Sequence, residues 1–313
     1  MDLKSALKKG EAILKAVNNK SASNDARVIL SNVLNCSKIF LIANYDYQLT
    51  EDEEAKFAEL IELRAKGVPL QYITGKQEFM SLQFKVNSNV LIPRQETEIL
   101  VETIIDYIKN KRGILKERNA VSKKNTNSGN KADSVSINRS DDISILEIGT
   151  GSGCIAVSLA YYIQDCFITA TDISEDAIQT ARLNASLNGV KEKIDFVVSD
   201  LFENVGNKKF DAIVSNPPYI AKKDIESLDV EVKKYEPIIA LDGGIDGLDF
   251  YRAIIQKAPD YLKEDGILVF EIGYNQARDV ACLMERDFSN IRIIKDLDKN
   301  DRVVIGGIDI ERI

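Results

Sequence analysis

The sequence predicts an α/β chain: a mostly parallel sheet covered by helices on both faces, preceded by a small helical unit. Three observations carry this. After residue 142, short apolar runs alternate with helically spaced segments, as in sheets whose parallel strands are joined by crossover helices. The last two runs, "NIRIIKDL" and "RVVIGGI", lie close enough in sequence to pair antiparallel. Before residue 76 the apolar spacing is helical.

Within residues 1–75, Leu3, Leu7, Leu14 and Val17 recur near helical spacing, and "DARVILSNVL" offers a second apolar stripe. In "TEDEEAKFAELIELRAKG", Thr50 and Glu53 fit a capping box, Gly67 a C-terminal stop, and Pro69 follows. Residues 76–95 include "QEFMSLQFKVNSNVLI", which alternates and carries an Asn-containing turn; a β-hairpin linker is expected. "ETEILVETIIDYIKNK" returns to helical spacing through Ile99, Leu100, Ile104, Ile105 and Ile108 and opens a domain over residues 96–313. Residues 113–142 are polar and rich in Ser, Asn and Lys. They bury too little surface to offset their ordering entropy, which predicts a disordered surface insert.

The regular part then reads as strand "ISILEI", helix "CIAVSLAYYI", strand "CFITATD", helix "AIQTARLNASLNG", and strands "IDFVVSD" and "FDAIVS". Helix "DFYRAIIQKAPDYL", strand "GILVFEIG" and helix "NQARDVACLMERD" precede the closing strand pair. That makes a seven-stranded sheet.

Bulk properties narrow the function. A chain of 313 residues suits one large and one small domain. A formal charge of -8 weighs against non-specific affinity for nucleic acid or membrane. Cys36, Cys154, Cys166 and Cys282 form no CxxC pair and read as reduced thiols in a cytosolic protein, each packed in the core. The chain has no histidine, which removes the usual general base, the usual triad partner and the commonest zinc ligand; no metal is expected. The N-terminus "MDLKSALKKGEAILKAV" is amphipathic and mixed in charge, so a cytoplasmic location is expected.

"LEIGTGSGC", residues 146–154, follows a buried strand and opens a helix. Glycines at 149, 151 and 153 let the backbone turn sharply and approach a ligand, with Thr150 and Ser152 between them and helix N–H groups beyond. Asp172 ends the next strand, 23 positions after Gly149, where a carboxylate can accept from two ribose hydroxyls. A dinucleotide site shares these features, but its third glycine would stand at position 154, which is Cys154. GxGxG with an acidic strand end suits S-adenosylmethionine. Asp200 ends a further strand and is expected beside Asp172, with Leu201 as an apolar wall for an adenine ring; an ordinary Asp and a core Leu fit the same residue types.

"SNPPYI", residues 215–220, follows the buried run "FDAIV". Each proline fixes its own φ, and Pro218 also restricts Pro217, so the loop is stiff. Neither proline carries an N–H. Asn216 adds an oxygen acceptor, and Tyr219 a flat face and a hydroxyl. Such a loop holds a planar NH2 group, one hydrogen on the Asn216 oxygen and the other on the Pro217 carbonyl. Methyl transfer to nitrogen fits: it needs placement and acceptors for developing positive charge, not a histidine base.

The stretches "GVPLQYITGKQEF", "VLIPRQETEILVE", "LEIGTGSGCIAVSLA", "ATDIS", "FDAIVSNPPYI", "YEPIIALDGGIDGLDFY", "FEIG" and "DRVVIGG" together resemble the release-factor glutamine N5-methyltransferases, the HemK/PrmC family. NPPY alone is shared with DNA adenine and RNA guanine amino-methyltransferases; the other stretches point to the glutamine enzymes. The resemblance implies a Rossmann-like methyltransferase fold with S-adenosylmethionine on Gly149, Thr150, Gly151, Ser152, Gly153, Asp172, Asp200 and Leu201, bordered by Asn216. It implies that Asn216, Pro217, Pro218 and Tyr219 hold the glutamine amide of the Gly-Gly-Gln loop of class 1 peptide release factors. The helical domain would help bind that protein, and Arg94, Glu96 and Glu236 would brace the substrate loop or form surface ion pairs. Gln95 stands where many members have proline. A monomer that contacts neither membrane nor nucleic acid directly is expected. The alternatives are a nucleic-acid amino-methyltransferase acting on adenine N6 or guanine N2, and a non-catalytic S-adenosylmethionine-binding protein.

Overall fold

A computed structural model describes residues 1–125 and 143–308 of the chain. Contacts divide the chain into two compact units. Met1–Gln77, Lys85–Ile92 and Glu226–Ile238 form the first, and the other described residues form the second.

The first unit holds α1 (Leu3–Ala16), α2 (Ala22–Val33), α3 (Lys38–Ala43), α4 (Glu51–Ala65) and α5 (Leu70–Thr74). Its core gathers Leu3, Leu14, Ile29, Leu30, Phe57 and Ile61, as the apolar stripes predict. Val17 departs from its stripe: it caps α1 from outside the helix and is 49% exposed. The capping box of α4 is present in both directions, between Thr50 and Glu53. Arg64 pairs with buried Asp25 at 2.7 Å and with Glu231 at 2.7 Å, tying α4 to α2 and to the 226–238 segment within this unit. The short helices α3 and α5 carry too few turns to show a period in sequence.

Next come β1 (Lys76–Phe79) and β2 (Leu82–Lys85). The hairpin turns at Met80 and Ser81, whose φ values are 50° and 58°, and not at the Asn-containing stretch that the sequence suggests. A two-residue turn with both φ positive matches the twist of its strands. Asn87 instead accepts the Asn89 amide in a separate turn.

The second unit continues with α6 (Glu98–Asn125), β3 (Ile143–Ile148), α7 (Cys154–Tyr162), β4 (Cys166–Asp172), α8 (Glu175–Leu187), β5 (Ile194–Val198) and β6 (Phe210–Ser215). After α9 (Val230–Tyr235), which belongs to the first unit, follow α10 (Asp249–Lys257), β7 (Leu262–Glu271), α11 (Ala277–Met284), β8 (Phe288–Lys295) and β9 (Asp301–Ile308). The expectation of a disordered insert from residue 113 needs correction, because α6 continues to Asn125. Extending a nucleated helix through Leu, Lys, Glu, Arg and Ala costs little. The remainder of that expectation, 126–142, lies outside the described residues.

Among the described residues the main sheet has seven strands in the order β5-β4-β3-β6-β7-β9-β8, with β9 antiparallel to both neighbours. Alternation along the strands sorts side chains to two cores. Ile145, Val214 and Val269 face α6, α7 and α8, whereas Leu146, Ile213, Leu268 and Phe270 face α10 and α11. Both faces are therefore covered, as a parallel sheet requires. Strand order reverses between β3 and β6, which opens a crevice at their carboxyl ends. No helix among the described residues is long and apolar enough to cross a membrane.

Candidate active site

Ile148 at the end of β3 lies opposite Ser215 at the end of β6. The chain therefore leaves the sheet side by side at Gly149 and Asn216, at the reversal point. This register brings together the two loops that the sequence singles out.

Gly149 and Gly151 have φ of 76° and 54°, and a Cβ on either would meet nothing within 4 Å. The loop thus turns in a conformation that L side chains rarely adopt, with its backbone against open space. Gly153 caps α7, and Thr150 and Ser152 are buried. Beneath the loop lies Glu147, which sequence reasoning passed over. Its Oε2 accepts from the Thr150 hydroxyl at 2.7 Å and from the Ala156 amide at 3.1 Å, stapling the loop to the first turn of α7. Its Oε1 is buried without a partner, and burial pushes the carboxyl up to about 8.

Asp172 is half-buried at the end of β4. Its Oδ2 accepts from Gly151 N at 2.8 Å and its Oδ1 from Ser174 N at 2.9 Å, while burial raises its pKa. Each oxygen keeps a second lone pair for another donor. Ser199 N donates to the Asp172 carbonyl, so exposed Asp200 follows on the same sheet edge. Leu201, with φ of 47°, is half-buried against the second core.

In the second loop Pro217 is buried and Asn216, Pro218 and Tyr219 are half-buried. Asn216 Nδ2 donates to Oγ1 of buried Thr97 at 3.3 Å. Gln276 Nε2 donates to the Tyr219 carbonyl at 2.9 Å and to the Gly247 carbonyl at 3.1 Å. Ile220 bridges to Asp242. The glycine-rich stretch 242–247 thus packs against the proline loop from behind. Burial, with the nearby Glu271 charge, pushes the Tyr219 phenol up to about 12, so it stays protonated.

Glu271, 2% exposed at the end of β7, also escaped the sequence reading. Its Oε2 has no partner, and burial pushes its carboxyl up to about 7. Hydrogen bonds from the Thr97 and Asn216 side chains oppose that rise. The signal was an acid inside an apolar run, in "LEIG" and again in "FEIG".

Half-buried Arg94 and exposed Glu96 lie near enough to Tyr219 for their charges to act on its phenol. Glu236 is buried in the first unit, where its carboxylate accepts from the Ile92 amide at 3.3 Å.

Residues 5–75 match the family model described as the PrmC N-terminal domain, and residues 112–232 match the one described as the methyltransferase small domain. A release factor glutamine methyltransferase of Clostridium acetobutylicum is 38% identical over 308 residues, covering 97% of this chain and 98% of its own length. The chain belongs to the release factor glutamine methyltransferase family. Another member, from Fusobacterium nucleatum subsp. nucleatum, is 41% identical, covering 90% of this chain and 72% of its own. A bifunctional methyltransferase of Rickettsia felis is 39% identical over 97% of this chain, which spans 57% of that longer protein. The matched span 112–232 takes in both crevice loops, 149–153 and 216–219.

Proposed function

We propose that this chain transfers a methyl group from S-adenosylmethionine to the side-chain amide nitrogen, N5, of the glutamine in the Gly-Gly-Gln motif of a class 1 peptide chain release factor. The observation that carries the reading is the pairing of Ile148 with Ser215, which sets an open glycine loop beside an amide-sized acceptor loop.

The residues present suit this cofactor. S-adenosylmethionine carries ribose hydroxyls, and the Asp172 carboxylate, held by the Gly151 and Ser174 amides, keeps acceptor capacity for such donors. The open faces of Gly149 and Gly151 admit a ligand against the backbone. Gly149 to Gly153 would hold its amino-acid end, Asp172 its ribose, and Asp200 and Leu201 its adenine side. When bound, it supplies an electrophilic methyl group on an excellent leaving group.

The remaining work falls to the chain. Asn216 Oδ1 and the Pro217 carbonyl would each accept one hydrogen of the glutamine amide, fixing its plane and turning the nitrogen lone pair toward the glycine loop. Both acceptors stabilise positive charge as it builds on that nitrogen. The proline loop, braced by Gln276, keeps them in place before substrate arrives. Tyr219, kept neutral, offers an aromatic wall that excludes water. The methylated nitrogen is acidic enough to lose its proton to water, so a chain without histidine suffices.

The test is production of S-adenosylhomocysteine by the purified protein with a class 1 release factor, an adenine- and guanine-containing oligonucleotide, or neither. Turnover with the release factor alone supports the proposal. Turnover with the oligonucleotide alone would replace it with nucleic-acid amino-methylation, and no turnover with either would leave a binding protein.

A further inference from the structure

The backbone amides of the glycine loop are almost all spent on the fold. Gly149 N and Thr150 N donate to the Thr171 carbonyl at 2.9 and 2.8 Å, Gly151 N to Asp172 Oδ2 at 2.8 Å, and Gly153 N to the Thr150 carbonyl at 2.8 Å. Among the described residues no acceptor meets the Ser152 N–H, although Ser152 is only 3% exposed. Buried N–H groups without a partner are rare, which marks this one for a ligand. An N–H can only donate. It therefore suits an acceptor, such as the carboxylate at the amino-acid end of S-adenosylmethionine.

Such a donor is useful only if it is aimed. The Gly151–Ser152 peptide carries it, and the orientation of that peptide follows from the peptides on either side. On one side Asp172 holds the Gly151 N–H. On the other, Asn184 Nδ2 donates to the Ser152 carbonyl at 2.8 Å. Asn184 lies on α8 and is 0% exposed. A carbonyl can only accept, so the nitrogen of the Asn184 amide faces Ser152. Three residues earlier on the same face of α8, Ala181 packs on Gly153. A Cβ on Gly153 would lie 2.9 Å from the Ala181 Cβ and 3.1 Å from its Cα. The close approach that glycine permits thus brings Asn184 within reach of the loop. Loop and helix both belong to the second unit.

We infer that Asn184 is a positioning residue for the cofactor: by holding the Ser152 carbonyl it offers the Ser152 N–H to the carboxylate of S-adenosylmethionine. Asn184 acts through Ser152 and touches no ligand atom. Its trace in sequence is a polar side chain on the face of α8 that buries Ala177, Ile178, Ala181 and Ala185. The inference rests on the reading above that Gly149 to Gly153 hold the amino-acid end of the cofactor.

The experiment compares two ligands at full chain length. Calorimetry measures the affinity of S-adenosylmethionine and of 5′-methylthioadenosine, which has the nucleoside and sulfur but no amino-acid carboxylate. Wild type, Asn184→Ala, Asn184→Asp and Asn188→Ala are tested, with melting temperatures alongside. Asn184→Asp keeps the side-chain shape and loses the donor, whereas Asn184→Ala removes both, so either variant that folds decides the matter. Asn188→Ala removes a different bond of the same helix end, from Asn188 Nδ2 to the Gln83 carbonyl at 3.0 Å, and controls for lost stability. S-adenosylmethionine should bind both Asn184 variants at least about fivefold more weakly. The affinity of 5′-methylthioadenosine should stay within about twofold of wild type, and Asn188→Ala should leave both affinities unchanged.

Wild-type affinity for S-adenosylmethionine in a folded Asn184 variant would overturn the inference. So would an equal loss for both ligands, or an equal loss in Asn188→Ala, since either assigns the effect to packing. A wild type that binds neither ligand would instead overturn the underlying reading, and that outcome is distinguishable because it precedes every variant.

Discussion

Gly243 lies backbone against backbone with Tyr219: a Cβ on Gly243 would sit 2.8 Å from the Tyr219 Cα and 2.8 Å from the Pro218 carbonyl oxygen. Neither neighbour is the free end of a side chain, so neither can give way without moving the loop. Gly243→Ala should push the proline loop off its position, lowering methyl transfer about 10- to 100-fold. Overpacking of this kind should cost about 1–3 kcal/mol of stability. Steady-state kinetics beside thermal melting checks both. Unchanged kinetics would show that the loop position does not govern the reaction.

On the proposed reading, Asn216→Ala removes an acceptor that matters most when the substrate nitrogen becomes positive. Transfer should fall about 10²- to 10³-fold, as for loss of one donor in an oxyanion site. Cofactor affinity should change little, which calorimetry with S-adenosylmethionine reads directly. Equal loss of both would assign the side chain to cofactor binding.

Asp172→Ala should behave in the opposite way. It removes the carboxylate that holds the Gly151 and Ser174 amides and to which the proposed function assigns the ribose. Two charge-assisted hydrogen bonds lost predict cofactor affinity lower by about 10- to 100-fold, read by the same calorimetry. Unchanged affinity would remove Asp172 from the ribose site.

The pH dependence of stability follows from Glu147 and Glu271, whose carboxyls are pushed up to about 8 and about 7. In the unfolded chain both ionise near the ordinary glutamate value of about 4.3. Between that value and the folded values the unfolded state holds fewer protons. Their contribution is thus complete in acid and is lost as pH rises through about 7 and then about 8. No histidine titrates in this window. The melting temperature of the ligand-free protein should fall from pH 5 to pH 9, and Glu147→Gln should flatten the slope. A rising profile would contradict the buried, neutral state of these acids.

Much of this site is legible in sequence because its parts are local. Gly149 to Gly153 and Asn216 to Tyr219 are contiguous stretches whose backbone chemistry follows from residue type alone. Parallel strand order then brings them together at a reversal. Thr97 and Gln276 were not legible, because each acts on a segment distant in sequence, whereas Glu147 and Glu271 left only the trace of an acid inside an apolar run. The glycines at 243 and 247 belonged to a recognised stretch, yet their reason, backbone packed on the Pro218–Tyr219 loop, needs the tertiary structure. The hairpin turn was misplaced for a related cause. Met80 and Ser81 both take positive φ, and neither residue type announces it. Residues 113–125 misled because composition reports solubility, whereas helix continuation depends on the segment before it.

The central claim, that the amide nitrogen of one glutamine receives the methyl group, is tested most directly by intact-mass measurement. A purified class 1 release factor is incubated with this protein and S-adenosylmethionine, beside a copy whose Gly-Gly-Gln glutamine is changed to alanine. The account predicts one added methyl on the native factor and none on the altered copy. A methyl on both, or on neither while the protein binds S-adenosylmethionine, would contradict it.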